Sequence, residues 1–253
     1  MALVEITSEG PITSVTLNRP EKRNALTIEM LRELAEAYRE IARGRQHRVV
    51  ILRGEGMSFC TGLDLVETKN RDLARDSAKN MGEVLRTIVR TPAVTIAAVH
   101  GHAIAGGAGI MSACDIVVAE EGTKIGYPEP RRGLVAAMVM TLLKRQIGDR
   151  KTRELLLTAE LIDASEAMEI GLVTRVVPRG GLEAGIHSVA VKILKNAPGA
   201  LADTKILLEA LAPRNFETAL ARSYAVALRM RSSTEAREGI EAFDEKRSPS
   251  WEV

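Results

Sequence analysis

The sequence predicts an α/β protein with a purely helical C-terminal region, and three observations carry this prediction. Segments with strand periodicity alternate with helical segments as far as about residue 177, a pattern typical of crossover units with parallel strands. From Leu182 to Trp251 the apolar residues keep a helical spacing, with Pro198 and Pro213 as interruptions. At 253 residues the chain is long enough to bury a full hydrophobic core.

The first predicted elements are a hairpin and an amphipathic helix. Leu3 to Thr7 and Ile12 to Leu17 alternate at period two around the turn residues Gly10 and Pro11. Thr27 is placed to cap the helix that follows. The predicted buried face of that helix carries Leu31, Leu34, Ala35, Tyr38, Ile41 and Ala42.

The alternation continues through the middle of the chain. Strands are predicted over Arg48 to Arg53, Val94 to Val99, Asp115 to Ala119 and Val173 to Val177. Helices are predicted over Leu73 to Val89, Met138 to Ile147, Lys151 to Leu157 and Ile162 to Gly171.

Composition and charge exclude several kinds of partner. The 35 Lys and Arg residues nearly balance 33 Asp and Glu, so the net charge of +2 creates no strong field for nucleic acid or an acidic membrane. Aromatic residues make up 3%, too few for a base-stacking surface. The N-terminus lacks the layout of a signal peptide, and polar residues interrupt the most apolar region. We expect a cytoplasmic protein with neither nucleic-acid nor membrane partners.

The glycine junction, residues 98–111, is the most informative part of the sequence. It joins an apolar strand to a cluster of glycines and then to the start of a helix. Glycines let a ligand approach the main chain closely, and the free N–H groups of a helix start attract negative charge. The junction therefore predicts a site for an anion or a developing oxyanion. It matches neither the dinucleotide-binding pattern nor a P-loop, so nucleotide binding is disfavoured.

Other polar residues give weaker signals. His100 and His102 would point to one face of a strand, but no third ligand has a metal-binding spacing, and we expect packed or hydrogen-bonded histidines and no metal. Cys60 has no nearby histidine to activate it, so a small buried residue is favoured over a nucleophile. The separation of Cys60 and Cys114 in the sequence matches no redox motif, and the two cysteines favour a reducing compartment. Ser58 lacks the elbow motif of serine hydrolases.

Glu129 is the candidate acid/base, because Pro128 and Pro130 restrict its backbone in front of an apolar run. In a dry pocket, desolvation would suit this carboxyl group to proton transfer. The alternative is a solvated turn carboxylate, which composition alone favours. The neighbouring Arg131 and Arg132 fit either interpretation.

Several stretches occur together in the order found in the enoyl-CoA hydratase/isomerase, or crotonase, family, and the chain resembles that family to about Pro178. The matching stretches are Asn18 to Leu26, Ser58 to Leu65, the glycine junction through Asp115, Gly126 to Glu129, and Leu157 to Val173.

This resemblance implies a crotonase-like spiral of β-β-α turns over residues 1–195, with the acyl-CoA site. It also implies that the helical region 196–253 serves assembly and covers the CoA site. The implied substrate is an acyl-CoA thioester, with coenzyme A as part of the substrate and no separate cofactor. The implied assembly is a homotrimer or a dimer of trimers.

The resemblance also assigns site residues. It places an oxyanion hole at the backbone N–H groups of Leu63 and Gly106, and the catalytic glutamate at Glu129. The implied substrate-binding residues are Lys22, Arg23, Ala25, Leu26, Thr61, Gly62, Asp64, Leu65, Gly107, Gly109, Phe243 and Lys246. The depth of the acyl pocket is expected to depend on the segment Leu65 to Met81 and on Met138 and Met140.

One departure from the family pattern limits the mechanism. Hydratases with two catalytic carboxylates carry the first in the helix of the glycine junction, where this chain has Gly109. Dienoyl-CoA isomerases carry an aspartate eight residues after the retained glutamate, where this chain has Ala137. Two reactions with Glu129 as the single acid/base stay open: hydration of a 2-enoyl-CoA and Δ3-Δ2 isomerisation. A thioester hydrolase, a decarboxylase and a non-catalytic acyl-CoA-binding homologue are the alternatives.

Overall fold

The computed structural model describes residues 2–44, 46–64, 66–67 and 71–211, together with 234–235, 238, 242 and 245–251. The strands in the described part of the chain are β1 (Val4–Glu9), β2 (Ile12–Leu17), β3 (Val49–Gly54), β4 (Val94–Val99), β5 (His102–Ile104), β6 (Ile116–Glu120), β7 (Lys124–Gly126), β8 (Leu161–Asp163) and β9 (Arg175–Val177). The helices there are α1 (Ile28–Arg43), α2 (Arg71–Arg90), α3 (Gly106–Ser112), α4 (Ala137–Gln146), α5 (Gly148–Thr158), α6 (Ala164–Glu169), α7 (Leu182–Leu194) and α8 (Pro198–Leu211).

A six-stranded sheet in the order β1-β2-β3-β4-β6-β9 forms the centre of the fold. Strands β1 and β2 pair antiparallel as the predicted hairpin, and every later pairing in this sheet is parallel. Alternate residues of β3 belong to two cores. Val50 and Leu52 pack in the core that includes α1 and α2, whereas Val49 and Ile51 pack with α7. The predicted α/β architecture is therefore confirmed, with helices on both faces of the sheet.

Helix α1 begins at the predicted cap. The N–H of Met30 donates a 3.1 Å hydrogen bond to Thr27 Oγ1, which satisfies one of the unpaired N–H groups of the first turn. The predicted apolar face is buried as far as Ile41, but the prediction for Ala42 is wrong, because this residue in the last turn is exposed. A single methyl group at a helix end gains little from burial, so the buried stripe stops one residue earlier.

A second, three-stranded sheet in the order β5-β7-β8 was not predicted. Each of its strands has three residues, which is too short for the alternation that identifies a strand. The prediction that His100 and His102 share one strand face is wrong. Gly101, with φ +60°, lies between the end of β4 at Val99 and the start of β5 at His102, and a Cβ at Gly101 would lie 2.0 Å from the carbonyl oxygen of Met57.

The C-terminal region is helical where the structure describes it, as α7 and α8 show. Lys205 of α8 is buried, and its Nζ lies 2.7 Å from Asp115 Oδ2 and 3.1 Å from the carbonyl oxygen of Ala93. A buried ammonium group needs such partners because desolvation otherwise penalises its charge. This ion pair fastens α8 to the end of the central sheet. The domain division at residues 195 and 196 stays a prediction.

Candidate active site

The small sheet determines which segments meet at the candidate site. Strands β5 and β7 are parallel, with Ile104 opposite Gly126, so the residues that follow each strand emerge at the same edge. Ala105 and Gly106 follow β5, and the segment with Glu129 follows β7. The N–H of Ala105 donates a 2.8 Å hydrogen bond to the carbonyl oxygen of Gly126, which ties the two segments together.

Two isolated β-bridges bring Leu63 to the same place. Cys60 bridges to Ala103 of β5, and Leu26 bridges to Leu63. In the second bridge, the N–H of Leu26 donates to the carbonyl oxygen of Gly62 at 2.8 Å, and the carbonyl oxygen of Leu26 accepts from Asp64 at 2.9 Å. These contacts hold an otherwise irregular loop against the small sheet.

The predicted pair of N–H donors lies close together. A Cβ built on Gly62 would be 3.3 Å from the nitrogen of Gly106, and one built on Gly106 would be 3.6 Å from the nitrogen of Leu63. Gly106 is the first residue of α3, where N–H groups have no partner within the helix. Among the described residues, neither nitrogen donates to another group of the protein. Both N–H groups are therefore available to a ligand.

The backbone turns sharply just before these donors. Ala105 precedes α3 with φ 53° and ψ −123°, a conformation that is costly for a residue with a side chain. The conformation reverses the chain between the end of β5 and the first N–H of α3. The hydrogen bond from the N–H of Ala105 to Gly126 in the small sheet holds this residue in place.

Glu129 lies between Pro128 and Pro130 and is the first residue of a short 3-10 turn, Glu129–Arg132. Its side chain is half-buried and its Oε2 atom is buried, whereas Arg131 is exposed. The side chain of Arg132 lies outside the description. The location therefore favours the pocket carboxylate over the solvated turn carboxylate that composition alone favoured.

Tyr127 links the Glu129 segment to α3. Its hydroxyl lies 2.8 Å from Ser112 Oγ, which in turn donates to the carbonyl oxygen of Ala108. Burial raises the pKa of the Tyr127 hydroxyl, the hydrogen bond with Ser112 opposes the rise, and the negative charge of Glu129 adds to it. Tyr127 therefore stays neutral and acts as a buried connection between Glu129 and α3.

A cavity of about 430 Å³ collects the candidate residues. Its lining residues are Arg19, Glu21, Lys22, Arg23, Ala25, Thr61, Leu63, Asp64, Val66, Ala105, Gly106, Glu129 and Leu134. The cavity thus brings together both predicted oxyanion donors, the predicted acid/base and five of the predicted substrate-binding residues. The lining combines five charged side chains besides Glu129 with apolar residues and one glycine.

The other predicted substrate-binding residues lie elsewhere. Leu26, Gly62, Gly107 and Gly109 are buried behind the cavity wall and do not line it. Lys246 lies in an exposed turn and does not line the cavity of this single chain. Leu65 and Phe243 lie outside the described residues.

Arg19 is a site residue that was not predicted from the sequence, where it stood only within the matching stretch Asn18 to Leu26. Its guanidinium donates to Asp64 Oδ2 at 2.7 Å and to the carbonyl oxygen of Ala25 at 3.0 Å. Burial by itself would raise the pKa of Asp64, but the Arg19 hydrogen bond and two backbone N–H groups lower it below its usual value. Asp64 is therefore a charged residue whose ion pair with Arg19 stabilises the wall of the cavity.

Asn24 was also missed, and it shapes the loop that carries Lys22 and Ala25. It is buried with φ 55°, a left-handed conformation that asparagine tolerates better than most residues. Its side-chain amide donates to the carbonyl oxygens of Glu55 at 2.9 Å and Ser58 at 2.8 Å. Its role is structural, and only the match to the stretch Asn18 to Leu26 hinted at it.

The surroundings of Gly109 are apolar. A Cβ added there would lie 3.0 Å from Val139 Cγ2 and 3.2 Å from Met81 Cε. Both of these side chains are almost fully buried. A side chain at Gly109 would have to displace them, so the close packing of Val139 and Met81 favours glycine at this position.

The remaining candidates have structural partners. Cys60 is buried, which raises the pKa of its thiol to about 12, and Sγ donates to the carbonyl oxygen of Asn24 at 3.1 Å. This agrees with the expected small buried residue. His100 lies within hydrogen-bonding distance of the Gly56 carbonyl oxygen, and His102 lies within that distance of the Ser58 hydroxyl.

Within the described residues, no group of three His, Cys, Asp or Glu side chains is arranged to hold a metal. No described helix is long and apolar enough to cross a bilayer.

Comparison with known proteins gives consistent matches. A family model described as enoyl-CoA hydratase/isomerase matches residues 7–253. A Thermus thermophilus protein provisionally named an enoyl-CoA hydratase is 37% identical over 248 residues, covering 96% of this chain and 98% of that protein. A Mycosarcoma maydis protein named enoyl-CoA isomerase/hydratase fer4 is 30% identical, with 98% and 96% covered. The crystal structure of a Mycobacterium smegmatis enoyl-CoA hydratase matches with a TM-score of 0.95 and 32% identity over 99% of both chains. The predicted crotonase-like fold is thereby confirmed.

Proposed function

Because the chain belongs to the enoyl-CoA hydratase/isomerase family, we propose that it moves the double bond of a 3-enoyl-CoA to the 2 position. One observation carries the proposal. The cavity joins the half-buried carboxylate of Glu129 to two N–H groups that donate to no other group among the described residues, while the position where the family's two-carboxylate hydratases carry their first glutamate is packed with apolar side chains.

The two N–H groups are proposed to hold the thioester oxygen. In this arrangement the N–H of Leu63 and the N–H of Gly106 donate to one acceptor. When a proton leaves the α-carbon, negative charge develops on that oxygen, and donors that are already oriented stabilise it without reorganisation. This function explains why the small sheet fixes a loop and a helix start side by side.

Glu129 is proposed to carry the proton. Its carboxylate takes a proton from the α-carbon of the 3-enoyl group, which leaves a dienolate whose charge rests on the thioester oxygen. The neutral carboxyl group then returns the proton to the γ-carbon, and the double bond comes to lie between the α- and β-carbons. The carboxylate is regenerated and no water is consumed, so one acid/base is sufficient.

The basic side chains that line the cavity are proposed to hold coenzyme A. Lys22 and Arg23 are among them, and their cations suit the phosphates of the nucleotide. Arg19 forms an ion pair with Asp64, and we propose that it stabilises the cavity wall and does not bind coenzyme A. Assembly as a homotrimer or a dimer of trimers, and a cytoplasmic location, stay predictions.

Hydration of a 2-enoyl-CoA is the second candidate, and two of the similar proteins described above are named as hydratases alone, which favours it. Hydration requires a water molecule held and activated beside the β-carbon. Val139 and Met81 offer that water no hydrogen bond. We therefore rank isomerisation first.

Product analysis tests the proposal. The wild-type protein is incubated with a 3-enoyl-CoA, with crotonyl-CoA and with a malonyl-type CoA, and the products are separated by chromatography. We expect conversion of the 3-enoyl-CoA to the 2-enoyl-CoA, with crotonyl-CoA hydration slower by about 100-fold, the typical contribution of one acid/base group. The malonyl-type CoA should remain unchanged.

Other outcomes would overturn the proposal. Equal or faster hydration would establish the second candidate. Free CoA or loss of the malonyl carboxylate would indicate hydrolysis or decarboxylation. Binding of all three compounds without any product would indicate a non-catalytic homologue.

A further inference from the structure

The segment that carries Glu129 is attached to both ends of α3. At the start of the helix, the N–H of Ala105 donates a 2.8 Å hydrogen bond to the carbonyl oxygen of Gly126. At the other end, the hydroxyl of Tyr127 lies 2.8 Å from Oγ of Ser112, the last residue of α3. Gly126 and Tyr127 are adjacent in the sequence, so two neighbouring residues contact the whole length of the helix.

The hydrogen bond between Tyr127 and Ser112 has a defined direction. Ser112 Oγ donates to the carbonyl oxygen of Ala108 at 2.8 Å, which uses the single proton of this hydroxyl within the helix. The Tyr127 hydroxyl is therefore the donor to Ser112 Oγ. Its other contact with α3 is the Ala108 carbonyl oxygen, at 3.4 Å.

Burial makes this hydrogen bond persistent. Tyr127 is 0% exposed and Ser112 is 2% exposed. A buried hydroxyl that loses its partner has no bulk water to replace it, so the full cost of desolvation remains. Tyr127 therefore cannot rotate away from α3 without leaving a polar group unpaired in the interior.

Ser112 is itself held by two helices. Its hydroxyl is bonded within α3, and its carbonyl oxygen accepts a 2.6 Å hydrogen bond from Nε2 of Gln146, the last residue of α4. Ser112 is thus a fixed point to which the side chain of Tyr127 is attached.

The attachment restricts Glu129 as well. Only Pro128 separates Glu129 from Tyr127, and the proline ring fixes its own φ angle. Gly106, the proposed oxyanion donor, is the first residue of the helix that ends at Ser112. Because a short helix moves as a unit, holding Tyr127 at its last residue also holds Glu129 relative to its first N–H.

We propose that Tyr127 and Ser112 are positioning residues for the reaction, because their hydrogen bond sets the position of the Glu129 carboxylate relative to the N–H of Gly106. This inference rests on the proposed function. Proton transfer needs the carboxylate at the α-carbon while the thioester oxygen is held by the N–H donors. A displacement of about 1 Å is enough to lower the rate by about 100-fold.

The test measures kcat and KM for the isomerisation of 3-hexenoyl-CoA in Tyr127→Phe, which removes one oxygen atom and keeps the ring. We expect kcat to fall by about 10-fold, because Glu129 loses one of its two attachments to α3. KM should stay within about 2-fold of the wild-type value, since neither Tyr127 nor Ser112 lines the cavity. A purely structural role would lower the stability and leave kcat of the folded protein unchanged.

Ser112→Ala removes the other half of the hydrogen bond and should have the same effect on kcat. The double variant should also lose about 10-fold, because both substitutions break the same interaction. A loss of about 100-fold in the double variant would mean that the two side chains act independently, which would contradict the proposal.

Two matched controls are available outside the cavity. Tyr38→Phe makes the same change in a fully buried tyrosine of α1. Thr152→Ala removes a buried hydroxyl of α5 that donates to the carbonyl oxygen four residues earlier, as Ser112 does. Both variants should keep the kcat of the wild type. Circular dichroism and thermal unfolding verify that each variant is folded.

The two proposals fail in different ways. If the wild type isomerises 3-hexenoyl-CoA and Tyr127→Phe keeps its kcat or changes only KM, the positioning role is wrong and the proposed function stands. If the wild type instead hydrates crotonyl-CoA, the proposed function is wrong, and kcat for hydration in the same variants decides the positioning role. If the wild type converts neither compound, both proposals are wrong.

Discussion

Replacing Glu129 by Gln is expected to lower kcat for double-bond isomerisation by about 10²- to 10⁴-fold, the usual contribution of an acid/base group. The amide has nearly the shape of the carboxylate but cannot accept the α-proton. The N–H groups of Leu63 and Gly106 are untouched, so acyl-CoA should still bind. The measurements are the exchange of the α-proton with D2O, followed by NMR, and acyl-CoA binding, followed by calorimetry.

A matched control for this variant is Glu121→Gln. Glu121 is also a glutamate in a turn, but it is exposed and lies outside the cavity. It should keep the exchange rate of the wild type. Undiminished exchange in Glu129→Gln would mean that another group moves the proton. Loss of acyl-CoA binding together with exchange would mean that Glu129 shapes the cavity.

Replacing Gly107 by Ala is expected to reduce the free energy of unfolding by about 3 kcal/mol, the upper part of the range for overpacking a buried site. The added Cβ would lie 2.2 Å from the carbonyl oxygen of Cys60. That oxygen accepts a hydrogen bond from Ile104, so relief of the clash must disturb the bridge between the loop and β5. The spacing of the oxyanion donors should suffer as well. Urea unfolding measures the loss of stability.

The neighbouring variant Gly106→Ala is the control for stability. A Cβ at Gly106 would meet its nearest atoms at 3.6 and 3.7 Å, which is ordinary contact. Its stability should stay within about 1 kcal/mol of the wild type, since alanine is favoured over glycine in a helix. A Gly107→Ala protein as stable as Gly106→Ala would contradict the close packing of α3 against Cys60.

The large elements were predictable because their patterns repeat. Helix α1 has four turns of apolar spacing and a threonine cap, and β3 and β4 are runs of buried β-branched residues. In such segments many residues give the same signal, and one exception such as Ala42 does not change the result.

The small sheet could not be predicted for the opposite reason. Strands β5, β7 and β8 are too short to have a period, and their partners lie far apart in the sequence. These strands nevertheless position the site, since they place Gly106 and Glu129 at one edge. The sequence therefore identified the residues through a family resemblance, whereas the physical reason for their proximity required the pairing.

The side chains that pack against Gly109 could not be predicted from the sequence either. The absence of a glutamate at this position was visible, but the sequence did not determine what occupies the space. Val139 comes from α4 and Met81 from α2, and only tertiary packing brings them to the same glycine. Arg19 and Asn24 were missed similarly, because their hydrogen bonds link loops that are distant in the chain.

The proposed reaction moves a proton without using water as a reactant. The most direct test is to convert a 3-enoyl-CoA in water labelled with heavy oxygen and to follow the early products by mass spectrometry. We expect a 2-enoyl-CoA of the same oxygen content as the substrate, formed well before any labelled product. A 3-hydroxyacyl-CoA carrying the heavy oxygen, formed as fast as the double bond moves, would contradict it.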